Sequence, residues 1–88
     1  MDAESYLNRA AHYKNARQFN FAIEDCNKAI ELNPNYTQAY ITRGNLYSQT
    51  GQPSKALENY NIAIKVNPNE AEAFGYRAFY YQSAGQYN

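Results

Sequence analysis

Residues 37–70 read TQAYITRGNLYSQTGQPSKALENYNIAIKVNPNE, and residues 3–36 read AESYLNRAAHYKNARQFNFAIEDCNKAIELNPNY. Shifted by 34 residues, Tyr6, Arg9, Tyr13, Gln18, Ala22 and Glu24 fall on Tyr40, Arg43, Tyr47, Gln52, Ala56 and Glu58. Asn27, Ala29, Ile30, Asn33, Pro34 and Asn35 fall on Asn61, Ala63, Ile64, Asn67, Pro68 and Asn69. About a third of the unit is repeated at a fixed period of this size, which is the mark of a solenoid. A further step carries Arg43, Tyr47, Gly51 and Gln52 onto Arg77, Tyr81, Gly85 and Gln86, with Phe74 in the place of Tyr40.

Each unit reads as two helices. Tyr6, Ala10 and Tyr13 lie four and three residues apart, on one face of a helix over 3–16. A turn at Arg17-Gln18-Phe19-Asn20 follows, with Asn20 as the expected N-cap. Ala22, Cys26 and Ala29 share one face of a second helix, 21–32. Asn33-Pro34-Asn35 stops it, because proline lacks an amide proton and restricts the residue before it. The second unit repeats the pattern as helices 37–50 and 53–66, with a turn at Gly51-Gln52 and a stop at Asn67-Pro68-Asn69. Pro53 suits a first helical turn, where its missing donor costs nothing. A fifth helix is expected over 71–84, followed by Gly85-Gln86-Tyr87-Asn88 in the manner of the inter-helix turn. Ala10, Gly44 and Ala78 are small enough to let a neighbouring helix approach, with Tyr13, Tyr47 and Tyr81 filling the space beside them.

These residues resemble the tetratricopeptide repeat (TPR) family. Its signature places an aromatic before a Leu-Gly pair, then Tyr, and later Ala, an aromatic, Ala and Pro. The second unit offers Tyr40, Arg43-Gly44, Tyr47, Ala56, Tyr60, Ala63 and Pro68 in those places. The departures are arginine for the leucine, Cys26 for an aromatic and Arg17 for the turn glycine. The resemblance implies an all-α fold, a right-handed superhelical array of antiparallel helix pairs (an α-solenoid). It would comprise two full TPR units and one extra helix. Residues 1–88 are then one domain, with units 3–36 and 37–70 and a half unit 71–88. Pentatricopeptide repeats, the RNA-reading relatives, are one residue longer and basic, and neither holds here.

Eight basic and eight acidic residues cancel, so the basic footprint of a nucleic-acid binder is missing. No apolar run approaches roughly 20 residues, which speaks against a membrane span. Met1-Asp2-Ala3-Glu4-Ser5 lacks the basic start and apolar core of a signal peptide, so the expected setting is soluble and intracellular. The lone Cys26 cannot form an internal disulfide or by itself a cysteine zinc site, and no cofactor or metal is expected. Cys26 falls on the alanine-lined core face and His12 lacks an acid partner, so a Cys–His nucleophile pair is not expected. Glu24 is assigned as the i,i+4 partner of Lys28. Nothing else suggests an enzyme.

In TPR proteins the first helix of each pair lines a concave groove. The resemblance therefore puts Glu4, Leu7, Asn8, Ala11 and Asn15 there, followed by Gln38, Ile41, Thr42, Asn45 and Gln49. The last helix adds Glu72, Gly75, Tyr76, Phe79 and Ser83. Asn8, Gln38, Thr42, Asn45 and Gln49 can donate to and accept from a peptide backbone. Tyr76 and Phe79 would form a side-chain wall. The expected function is a non-catalytic scaffold binding a protein or peptide segment. The same faces also suit plain solvated surface or self-association. The family's carboxylate clamp holds the C-terminus of heat-shock chaperones with Lys, Asn, Asn, Lys and Arg. Those places hold Leu7, Ala11, Thr42, Glu72 and Tyr76, and starting one unit later gives Ile41, Asn45 and Tyr76 with Asn45 the one match, so no clamp is expected.

The recurring Arg9, Arg43 and Arg77 could form an anion ladder. The preferred expectation is that their stems are buried and their heads pair with Glu24, Glu58 or a backbone carbonyl. The last helix is aromatic on more than one face, and Tyr80 and Tyr81 cannot both point inward. An array that stopped there would leave apolar surface uncovered, so the alternative function is homo-oligomerisation through Phe79 and Tyr80.

Overall fold

The computed structural model describes residues 1–83. These form five helices and no strand: α1 (Ala3–Asn15), α2 (Phe19–Leu32), α3 (Thr37–Gln49), α4 (Pro53–Val66) and α5 (Ala71–Ser83). The turn expected at Gly85-Gln86-Tyr87-Asn88 lies outside the described residues. The most extensive packing is within the pairs α1–α2 and α3–α4. The α2–α3 and α4–α5 interfaces join them into an array, and α1 also touches α3. Short connections make consecutive helices antiparallel neighbours.

The two intra-unit turns are built alike. Gln18 and Gln52 each donate a backbone N–H at 2.8 Å to Tyr13 and Tyr47. Each turn needs one residue with positive φ, supplied by Arg17 (59°) and Gly51 (76°). The chain reverses two residues sooner than the sequence suggests, so α2 begins at Phe19 behind Gln18. Asn20 is therefore inside the helix and exposed, and the N-cap assigned to it is corrected. Asp2 caps α1, its Oδ1 accepting from the Ser5 N–H at 2.8 Å. That bond holds the Asp2 carboxyl below its usual range.

The Asn-Pro-Asn stops also repeat. The N–H groups of Asn35 and Asn69 donate to the side chains of Asn33 and Asn67, each at 3.2 Å. Such Asx turns take over where the helix ladder ends. The Tyr40 hydroxyl donates to the Pro34 carbonyl at 2.8 Å, fixing α3 against the linker before it.

Two groups of side chains make the core. Leu7, Ala10, Ala22, Cys26, Ala29, Ala39 and Leu46 form one, and Tyr40, Ile41, Ala63 and Ala73 the other. The alanines let backbones approach while Leu46, Ile41 and Tyr40 fill the gaps. Leu7 and Ile41, expected in the groove, are instead buried where the first helices of adjacent units meet their neighbours. Ala78 is exposed, so it does not seat a helix among the described residues as Ala10 and Gly44 do. Tyr80 and Tyr81 are both half-buried, edge to face, with ring centroids 5.5 Å apart.

Candidate functional site

The periodic arginines hold the array together rather than presenting free charge. Arg9 grips Asp25 with two bonds, Nε to Oδ2 at 2.7 Å and a terminal nitrogen to Oδ1 at 2.8 Å. Arg43 donates from Nε to Asn59 Oδ1 at 2.7 Å and from Nη1 to Asn27 Oδ1 at 2.8 Å. It thus ties α3 to both α4 and α2. Arg77 reaches back to Asn61 Oδ1 at 3.0 Å. The partners expected from sequence, Glu24 and Glu58, are exposed instead. One residue on, Asp25 and Asn59 turn inward and are buried. Helical spacing explains the error, since adjacent residues differ by about 100° and only one can face the arginine. Lys28 likewise lies near Glu31, at 3.9 Å on an exposed surface, rather than Glu24.

Cys26 is fully buried, and desolvation pushes its thiol up to about 12, which removes nucleophilic character at neutral pH. His12 is exposed.

An open cleft of about 670 Å³ lies against α3, α4 and α5. Of the expected groove residues it gathers Asn45, Gln49, Glu72, Gly75, Tyr76 and Phe79. Asn8, Thr42 and Gln38 do not line it. Gln38 is engaged elsewhere, its Nε2 donating to Glu72 Oε1 at 2.9 Å, which links α3 to α5. Lys14, Ser48 and Tyr60 complete the lining and were missed in the sequence. Lys14 matters for the clamp argument, because it supplies the cleft with a cation that the clamp positions lack.

Tyr60 is the central wall. Its hydroxyl donates to Asn45 Oδ1 at 2.6 Å, and its ring stacks on Tyr76 at 5.6 Å and 15°. Burial, and then Tyr76, push its phenol up to about 12. The Asn45 carbonyl thus already accepts one bond, and its amide NH2 keeps two donors. Gly44 makes the arrangement possible. A Cβ there would stand 2.6 Å from Tyr60 Cε1, inside contact distance. The signal in the sequence was this large–small exchange, with Gly44 and Tyr60 where the first unit has Ala10 and Cys26. Phe79, 65% exposed, adds to the lining from α5.

The family model for the tetratricopeptide repeat matches residues 3–36 and again residues 37–70. The chain belongs to the tetratricopeptide repeat family. Its fold is similar to a crystal structure of MamA, with a TM-score of 0.92 and 28% identity, over 97% of this chain and 50% of that one. A second MamA structure gives 0.89 and 28%, over 97% of this chain and 46% of that one. This TPR chain thus spans about half the length of those structures. It is also similar to the first TPR of Spaghetti (RPAP3), solved bound to the HSP90 peptide SRMEEVD. That likeness has 30% identity and a TM-score of 0.87, over 96% of this chain and 67% of that one. The Arabidopsis OM64 TPR domain gives 25% and 0.85, over 92% and 67%. Against curated protein sequences the chain has no match. TPR repeat proteins are generally non-catalytic interaction scaffolds. Among the described residues, no helix is long and apolar enough to cross a membrane.

Proposed function

We propose that this TPR array is a non-catalytic scaffold that holds an extended peptide segment of a partner protein along its α1, α3 and α5 face. The observation that carries the reading is the cleft built on Tyr60. Its lining combines an aromatic wall with Asn45, Ser48 and Gln49, neutral groups suited to a peptide backbone. Asn8, Gln38 and Thr42 extend the same neutral character beyond the cleft.

A peptide ending in a clamped carboxylate does not fit this reading. Leu7 stands in the first clamp place and is buried, and Glu72 stands in the fourth. Lys14 is the cation that lines the cleft, and the carboxylate of Glu72 lines it too. Fluorescence anisotropy tests both points. The peptide SRMEEVD should show no saturable binding, whereas a phage-displayed random heptapeptide library should yield binders. Binding of the selected peptides should be lost in an Asn8→Glu/Gln49→Glu variant with unchanged thermal stability. A library that enriches nothing, or peptides indifferent to those two substitutions, would remove the groove reading.

A second reading rests on α5. Phe79, Phe74 and Tyr76 are exposed there at 65%, 40% and 36%. Such apolar exposure favours association of copies through Phe79 and Tyr80. Light scattering across concentration, with and without Tyr80→Lys, tests it. A monomer mass that persists at high concentration in the unsubstituted chain rules it out.

A further inference from the structure

Beside the open cleft lies a second, more enclosed cavity of about 290 Å³. Ser48, Tyr60, Tyr76 and Phe79 line both. The smaller cavity runs on to Pro53, Ala56, Tyr80 and Ser83, and among the described residues no charged side chain lines it. Its volume is at the lower end of ligand sites, suited to one large side chain rather than a whole small molecule.

We infer that this cavity takes a single neutral aromatic side chain of the bound segment, so that the groove reads an aromatic anchor in place of a C-terminal carboxylate. This rests on the peptide-groove reading above and specifies its ligand. Three features select the occupant. A charged side chain would lose its water with no countercharge in the lining. A cationic head draws its attraction from ring faces, and the Tyr60–Tyr76 stack at 5.6 Å and 15° takes one face of each out of its reach. A neutral ring instead meets aromatic edges and the exposed Phe79, contacts worth having for an aromatic partner beyond their area. The opening is also placed for it. Ser48 stands at the boundary of the two cavities, next to the Asn45 amide that would hold the backbone of the anchor residue.

The chain contains no tryptophan, so the emission of N-acetyl-tryptophanamide reports its own binding without background. The probe should show a saturable blue shift with a dissociation constant on the order of millimolar or tighter. Phe79→Ala should weaken it about three- to tenfold, the range of one aromatic contact. Ser48→Leu, which fills the boundary, should abolish the shift. Both side chains are exposed, so circular dichroism and melting should not change. An unshifted probe, a response indifferent to both substitutions, or tighter binding of trimethyl-lysine amide than of the tryptophan probe overturns the inference. So does a probe affinity that falls as protein concentration rises, because a second copy then occupies the cavity. The heptapeptide selection separates the two proposals. Groove-dependent binders without an aromatic residue leave the groove reading standing and sink the anchor, while an empty selection sinks the groove reading itself.

Discussion

In the first repeat, residues 10 and 26 are alanine and cysteine; at the same places in the second, residues 44 and 60 are glycine and tyrosine. The topology is unchanged, but the consequence is large. Ala10 and Cys26 close on each other with no exposed surface, and the first unit has a plain core there. Removing one methyl at Gly44 admits the Tyr60 ring, which passes between α3 and α5 and becomes the wall of both cavities. The polar partners differ in the same way. Arg9 meets a carboxylate in Asp25, whereas Arg43 meets the amide of Asn59, whose own NH2 donates to the Lys55 carbonyl at 2.8 Å. The two repeats therefore divide labour. One is a sealed unit locked by an ion pair, and the other is shaped around a ring that lines an open cleft.

The comparison breaks most sharply at that ring. Tyr60→Cys, giving the second unit the residue of the first, should cost about 3 kcal/mol, because Gly44 cannot refill the volume. The Tyr60→Cys/Gly44→Ala double variant should recover part of this, as chemical denaturation would register. Additive losses would mean that the two positions are not a packed pair. Gly44→Ala alone should still cost about 1–3 kcal/mol through overpacking against a ring held by Asn45 and Tyr76.

Alkaline titration sharpens the same contrast. Cys26 and Tyr60 both hold their protons more tightly when folded, up to about 12. Each contribution is complete below the unfolded pKa and is lost as pH rises to the folded one. Stability should thus begin to fall near pH 9 through the thiol and near pH 10 through the phenol. In urea midpoints measured against pH, Cys26→Ala should flatten the first part and Tyr60→Phe the second. A pH-independent midpoint between 9 and 12 would contradict this.

The arginines give an intermediate effect. Arg9→Leu leaves the Asp25 carboxylate buried without its partner, whereas Arg43→Leu leaves only neutral amides. Melting temperature should fall clearly in the first case and little in the second, and equal shifts would deny the distinction. The smallest effect is at the turns. Arg17 adopts φ 59° at the place of Gly51, so Arg17→Gly should stabilise and Gly51→Arg destabilise, each by about 1 kcal/mol. Unchanged unfolding midpoints would show that the turn does not limit the fold.

Helix number, pairing and stops were legible because they depend on local, periodic features. Proline and asparagine stops, the small and large residues and the repeat itself need no knowledge of neighbours. The groove was legible only in part. Asn45, Gln49, Tyr76 and Phe79 meet in the cleft, but Leu7 and Ile41 are drawn into the core by adjacent units, and Lys14 arrives from α1. A family position names the face a residue shares, not how far the next helix covers it.

What the sequence by itself determined is the 34-residue repeat and the antiparallel pairs it builds, because periodicity and helix stops act within one unit. What only the tertiary structure decided is which neighbour each side chain meets. Asp25 rather than Glu24 takes Arg9, and Tyr60 rather than Cys26 reaches the open cleft. Those choices turn on about 100° of helix rotation and a single missing methyl, and they are settled only when helices from different units close on one another.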